Sequence, residues 1–179
     1  LRHGVYVEAI PFKSFGSWRA NANYKGSLVQ FSLQRQSVNI VWIDADARIL
    51  KYPTLFDDYP YDIGVYFADW LGKRTCSNGT IFFRNCPAVL EFVKEWAKWS
   101  IDNPTKSQQD KFGQMLKTSN LNWGELPAEY CMVVAPDPVP ESFKPHIIKP
   151  GPIRDDVKIE DVVIMHTWGS AKYFPGRKK

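Results

Sequence analysis

At 179 residues the chain has one domain's length, enough to bury about 70% of the surface an unfolded chain exposes. Its net charge of +4 is spread thinly apart from the terminal Arg177, Lys178 and Lys179, which argues against nucleic acid or an anionic membrane surface as partner. No apolar run approaches the roughly 20 residues of a membrane span, no signal-peptide pattern opens the chain, and Cys76, Cys86 and Cys131 have neither disulfide-framework numbers nor zinc-site spacing. These features predict one domain over residues 1–179, cytoplasmic, with reduced thiols.

In chain order, Val5, Tyr6, Val7, Ala9 and Ile10 predict a short strand closed by Pro11. Leu28 and Phe31 at helical spacing predict a helix over residues 25–35, leading into a buried strand over residues 38–43. This β-α-β rhythm predicts an α/β fold built on a mostly parallel, twisted sheet flanked by helices. Pro53, Leu55 and Phe56 follow as a turn or short helix, then strands over residues 62–68 and 79–84. Pro87 opens a helix whose apolar face carries Val89, Leu90, Phe92, Val93, Trp96 and Ala97. Ser107 caps the next helix, with Phe112, Met115 and Leu116 on its inner side. The prolines of residues 135–152 predict an ordered surface connection, and a last strand over residues 161–165 ends at His166. Trp96 and Trp99 read as packing residues. Trp70 and Trp123 fall in predicted loops, where a ring could stack on a sugar.

The strand Ile40-Val41-Trp42-Ile43 runs into Asp44-Ala45-Asp46. In an extended segment, residues two apart share a side, so both carboxylates could reach one hard divalent ion. An aspartate turn closing a strand is the plainer alternative. His166 opens His166-Thr167-Trp168-Gly169-Ser170-Ala171-Lys172: an imidazole to ligate, a glycine to admit a phosphate and a lysine to pair with it. Each has a structural counterpart too, as a satisfied histidine, a tight turn and a solvated lysine. Asn78-Gly79 is also a turn signal, Ser107 and Asp110 also fit a capping pattern, and Lys25 also suits a solvated first helical turn.

Taken together, Asp44-Ala45-Asp46, Asn78-Gly79 opening a strand that ends in Asn85, Gln109-Asp110 and then H-x-x-G-x-x-K resemble the order found in nucleotide-sugar glycosyltransferases of the GT-A fold. Across residues 17–172 the pattern looks most like glycogenin-type retaining enzymes and related bacterial or viral transferases. The resemblance implies Mn²⁺ or Mg²⁺ held by Asp44, Asp46 and His166, and the diphosphate of a nucleotide-sugar donor held by Gly169 and Lys172. It implies Lys25 near the donor phosphate, Asn78 and Gly79 along the sugar pocket, and Gln109 and Asp110 facing the transferred sugar or an unknown acceptor. Trp18 and Asp69 are further candidates for donor or acceptor contact, and Asp110 then Asp69 are the carboxylates first in line for catalysis.

Such enzymes begin with a strand and helix ahead of the strand predicted at Val5. Only residues 1–4 precede it here, so the resemblance implies either that an amino-terminal strand and helix are missing or that the base is held in another way. Two rivals follow: a truncated, inactive nucleotide-sugar-binding module, and a metal-dependent phosphohydrolase using the same aspartates. The sequence leaves a homo-oligomer open.

Overall fold

The computed structural model describes residues 4–70, 73–135, 151–152 and 156–167. In chain order its elements are helices α1 (Trp18–Asn23) and α2 (Lys25–Arg35), strands β1 (Ile40–Ile43), β2 (Ala47–Ile49), β3 (Ile63–Trp70) and β4 (Lys73–Phe83), helices α3 (Pro87–Asp102) and α4 (Gln108–Thr118), and strands β5 (Trp123–Glu125), β6 (Met132–Ala135), β7 (Gly151–Pro152) and β8 (Ile164–Thr167). The strands form two sheets, ordered β1-β4-β3-β5 and β2-β8-β6-β7.

Side-chain alternation along β3 and β4 explains how the layers stack. Val65, Phe67, Ile81 and Phe83 point to one face, where α2, α3 and α4 supply Val29, Leu33, Val89, Phe92, Val93, Trp96, Phe112 and Leu116. Tyr66 and Phe82 point to the other, against Tyr59, Leu126, Tyr130, Cys131, Val163 and Ile164. A sheet buried on both faces needs near-continuous apolar strands, and Ile81-Phe82-Phe83 is such a run. Trp96 is fully buried and meets Phe112 edge to face at 4.8 Å between ring centroids, tying α3 to α4.

Several expectations are corrected here. The sheets are mixed: among the described residues, parallel pairing joins only β3 to β5 and β6 to β8, while β1, β2, β3 and β7 pair antiparallel with β4, β8, β4 and β6. The reason is local, because β3 and β4 are joined by a tight hairpin rather than by a crossover helix. Strand β1 is half-buried along its length and lies at the sheet's edge. Residues 5–10 have no regular structure, and Tyr6 and Val7 are mostly exposed. Their alternation finds no partner strand among the described residues. The last strand starts at Ile164, since Ile159–Asp161 forms a 3-10 turn. Trp123 lies on β5 against Phe67 instead of in a loop, and Trp70 ends β3. Residues 136–150, with most of the proline-rich connection, lie outside the described residues.

Candidate functional site

The site is built where the chain passes from one sheet to the other. Strand β1 belongs to the first sheet and β2 to the second, so the aspartates lie in the turn that joins them. That turn is closed by the Ala47 N–H donating to the Asp44 carbonyl at 3.0 Å. The extended geometry expected of the triplet is therefore replaced by a bend, and the two carboxylates serve different neighbours.

Asp44 faces helix α2. Its Oδ1 lies 2.7 Å from Lys25 Nζ and accepts a hydrogen bond from Trp42 Nε1 at 2.7 Å. Lys25 is buried at 7% exposure, donates to the Asn78 carbonyl at 2.6 Å, and sits 5.4 Å over the Trp42 ring. A buried ammonium requires such partners, so the solvated first-turn alternative for Lys25 is excluded.

Asp46 faces strand β8. Its Oδ1 lies 3.5 Å from His166 Nδ1, and its carbonyl accepts from the Thr167 N–H at 3.1 Å and hydroxyl at 2.8 Å. The other ring nitrogen of His166 is 2.9 Å from the Thr80 hydroxyl. Burial opposes a charge on this imidazole, but the Asp46 carboxylate, the Cys131 thiol and the more distant Asp44 outweigh it and push the pKa up to about 9. Burial likewise opposes ionisation of Cys131, and hydrogen bonds to His166 and Ser77 outweigh it, so this thiol is lowered.

Strand β4 supplies the floor between these two halves. Its register against β3 runs from Val65↔Ile81 directly to Tyr66↔Ser77, so Asn78, Gly79 and Thr80 bulge out of that ladder. Freed from β3, they turn to the site: the Asn78 carbonyl takes Lys25, the Gly79 carbonyl accepts from the Asp44 N–H at 2.9 Å, and Thr80 meets His166. A Cβ on Gly79 would stand 2.9 Å from His166 Cε1, so only glycine leaves room for the ring. The turn reading of Asn78-Gly79 gives way to a bulge in mid-strand.

Behind the floor, Asn78 Nδ2 donates to Gln108 Oε1 at 3.1 Å, and the Gln108 carbonyl accepts from Trp96 Nε1 at 3.2 Å. Gln108, rather than the expected Gln109, is the buried glutamine, at 6% exposure against a half-buried neighbour. The Asp110 N–H donates to Ser107 Oγ at 3.3 Å, so the capping role is present, and its side chain is exposed. Burial first and then Cys131 push the nearby Cys76 thiol up to about 12 against the opposing charges of Lys25 and Lys117, and the Asp110 carboxylate adds the smallest contribution. Asp69 pairs with Arg74 at the far end of the β3–β4 hairpin, with its side chain outside the described set. Trp18 opens α1 and is 41% exposed. Gly169 and Lys172 lie outside the described residues.

Among solved structures, the chain is similar to a glycosyltransferase involved in the glycosylation of the major capsid of PBCV-1, with TM-score 0.56 and 12% identity over 92% of this chain and 79% of that one. No family model and no curated protein matches the sequence. At such identity the likeness speaks to architecture alone. The fold is broadly GT-A-like.

Within this GT-A-like fold the structure brings together Lys25, Asp44, Asp46, Asn78, Gly79 and His166 from three elements and the β1–β2 turn. Sequence reasoning missed Trp42, Thr80, Gln108 and Cys131. Trp42 was within reach, because it stands two residues before Asp44 on a strand and so shares its side. Thr80 and Cys131 carried no signal, since only the bulge and the β6–β8 pairing bring them to His166. Among the described residues no three His, Cys, Asp or Glu side chains converge as a metal cluster. The pair Asp46 Oδ1 and His166 Nδ1, 3.5 Å apart, nevertheless approaches the roughly 3 Å between two adjacent ligand atoms of one small divalent ion.

Proposed function

We propose that the chain is a metal-dependent glycosyltransferase that moves a sugar from a nucleotide-diphosphate donor to an acceptor. The observation that carries this reading is one bend between two sheets that sets Asp44 against the buried cation Lys25 and Asp46 against His166. The GT-A-like architecture and the similarity to a capsid-glycosylating enzyme support it at the level of the fold. Retention of anomeric configuration follows by analogy with the families whose motif order the sequence resembles.

Mn²⁺ or Mg²⁺, when bound by Asp46 and His166 with Asp44 beside them, would supply Lewis-acid stabilisation of the departing diphosphate. The residue types suit this: two hard oxygen donors and one imidazole, with Thr80 fixing the second ring nitrogen. Breaking the anomeric carbon–oxygen bond puts negative charge on the leaving group, and a preorganised cation is worth most there. Lys25, fixed by the Asn78 carbonyl, and Lys172, outside the described residues, are the cations this chain would contribute. Gly169 would let the backbone approach the phosphates closely. Asn78 and Gly79 would line the sugar pocket, and Gln109 and Asp110, in the first turn of α4, would face the sugar or acceptor.

The test is Mn²⁺-dependent release of nucleoside diphosphate from a panel of nucleotide sugars. Asp46→Asn is expected to lower the rate by about 100-fold or more, as loss of a metal ligand does. Equal turnover in the variant would overturn the assignment. Release of inorganic phosphate would favour the phosphohydrolase, and donor binding without turnover would favour the inactive module.

A further inference from the structure

We propose that Gln108 is a positioning residue that acts through Asn78 on the Lys25–Asp44 pair, linking the first turn of α4 to the candidate site. The contacts stand by themselves; what they do for sugar transfer rests on the transferase reading above. Gln108 and Asn78 are buried, at 6% and 1% exposure, and Asn78 Nδ2 donates to Gln108 Oε1 at 3.1 Å. On the other side of the same amide, Cys76 Sγ donates to Asn78 Oδ1 at 3.2 Å. Burial keeps that thiol protonated and able to donate, so Cys76 and Gln108 together fix the amide in one orientation. Gln108 is itself backed by the fully buried Trp96, whose Nε1 donates to its carbonyl at 3.2 Å.

Asn78 turns this side-chain anchor into a site contact through its backbone. Its carbonyl accepts from Lys25 Nζ at 2.6 Å, and Lys25 Nζ lies 2.7 Å from Asp44 Oδ1. The next carbonyl, of Gly79, accepts from the Asp44 N–H at 2.9 Å. Residues 78–80 bulge out of the β3 ladder, so the Asn78 side chain supplies a restraint that pairing with β3 does not. With an apolar side chain at position 108, Asn78 Nδ2 becomes a buried donor without its acceptor, a costly state that residue 78 relieves by turning. Its carbonyl then leaves Lys25, and a cation free to move stabilises developing charge less well than a fixed one. A loss of that kind lowers kcat more than it changes KM.

The experiment follows the Trp42 indole proton by NMR, because Trp42 Nε1 donates to the same Asp44 oxygen that Lys25 approaches. The variants are Gln108→Met, Asn78→Leu, both together, and Val89→Ala, a core deletion on α3 about two turns from Trp96. Gln108→Met is expected to shift the resonance and to lower kcat for release of nucleoside diphosphate about tenfold, with KM within about twofold. In the Asn78→Leu background, Gln108→Met is expected to add nothing further, as it must if it acts through Asn78. Val89→Ala, which only weakens the core, is expected to leave resonance and kcat in place. An unmoved resonance, an unchanged kcat, additive effects in the double variant or an equal shift in Val89→Ala overturns the inference and leaves the transferase reading standing. Absence of turnover in wild type overturns the transferase reading instead, and the resonance then decides the relay alone. Should Gln108→Met fail to fold, Gln108→Asn, one methylene short of Asn78, takes its place with the same expectations.

Discussion

His166 is held by contacts that leave it little freedom: Asp46 on one ring nitrogen, Thr80 on the other and the Gly79 backbone against its ring face. Its pKa of about 9 in the folded chain, against an ordinary 6.5, means the folded state binds the proton more tightly than the unfolded state. The stabilisation is fully present below pH 6.5 and is lost as pH rises through about 9. Its size is on the order of 3 kcal/mol. Urea unfolding with a chelator present, at about pH 6 and about pH 10, is expected to show that loss in wild type. His166→Asn should flatten the difference, and so should Gly79→Ala, whose methyl would displace the ring; an undiminished slope in His166→Asn contradicts the assignment. At this scale the sequence identified His166 and Gly79 but not why they belong together. Thr80 follows Gly79 directly and still gave no sign, because its role depends on β8 arriving from 86 residues away.

Helices were the most legible elements, for reasons that are local. Lys25, Pro87 and Ser107 mark the starts of α2, α3 and α4, and the 3.6-residue spacing of Val89, Phe92, Val93 and Trp96 places α3 on the core. The cap on α4 has a consequence for the site, since Gln108 and Asp110 lie in its first turn. Ser107→Ala is expected to cost about 1 kcal/mol in denaturant unfolding, and Ser107→Asp to restore most of it. A loss near zero would mean that the Ser107–Asp110 contact at 3.3 Å does not support the helix end. Strand β4 shows the opposite case. Its first half, from Lys73, reads as polar connection, and the three-residue bulge at Asn78 uses the same residue types as a turn. Pairing with β3 decides between them, and pairing is not a local property.

For the whole molecule, the α/β class was readable from alternating strand-like and helical stretches, and strand direction was not. A β-α-β pattern predicts parallel neighbours only if successive strands are adjacent in the sheet. Here β1 is joined instead to β4 and β2 leaves for the second sheet, so the aspartate triplet marks the crossing between sheets and not the end of a buried central strand. That crossing lets one bend present Asp44 to α2 and Asp46 to β8 at once, which is the basis for reading it as a clamp on a metal–diphosphate. The most direct test is thermal unfolding with nucleoside diphosphates, with and without Mn²⁺, since a ligand bound only by the folded state raises its Tm. The account predicts a rise that needs both diphosphate and Mn²⁺ and disappears in Asp46→Asn. No rise with any nucleoside diphosphate, or an equal rise in Asp46→Asn, would contradict it.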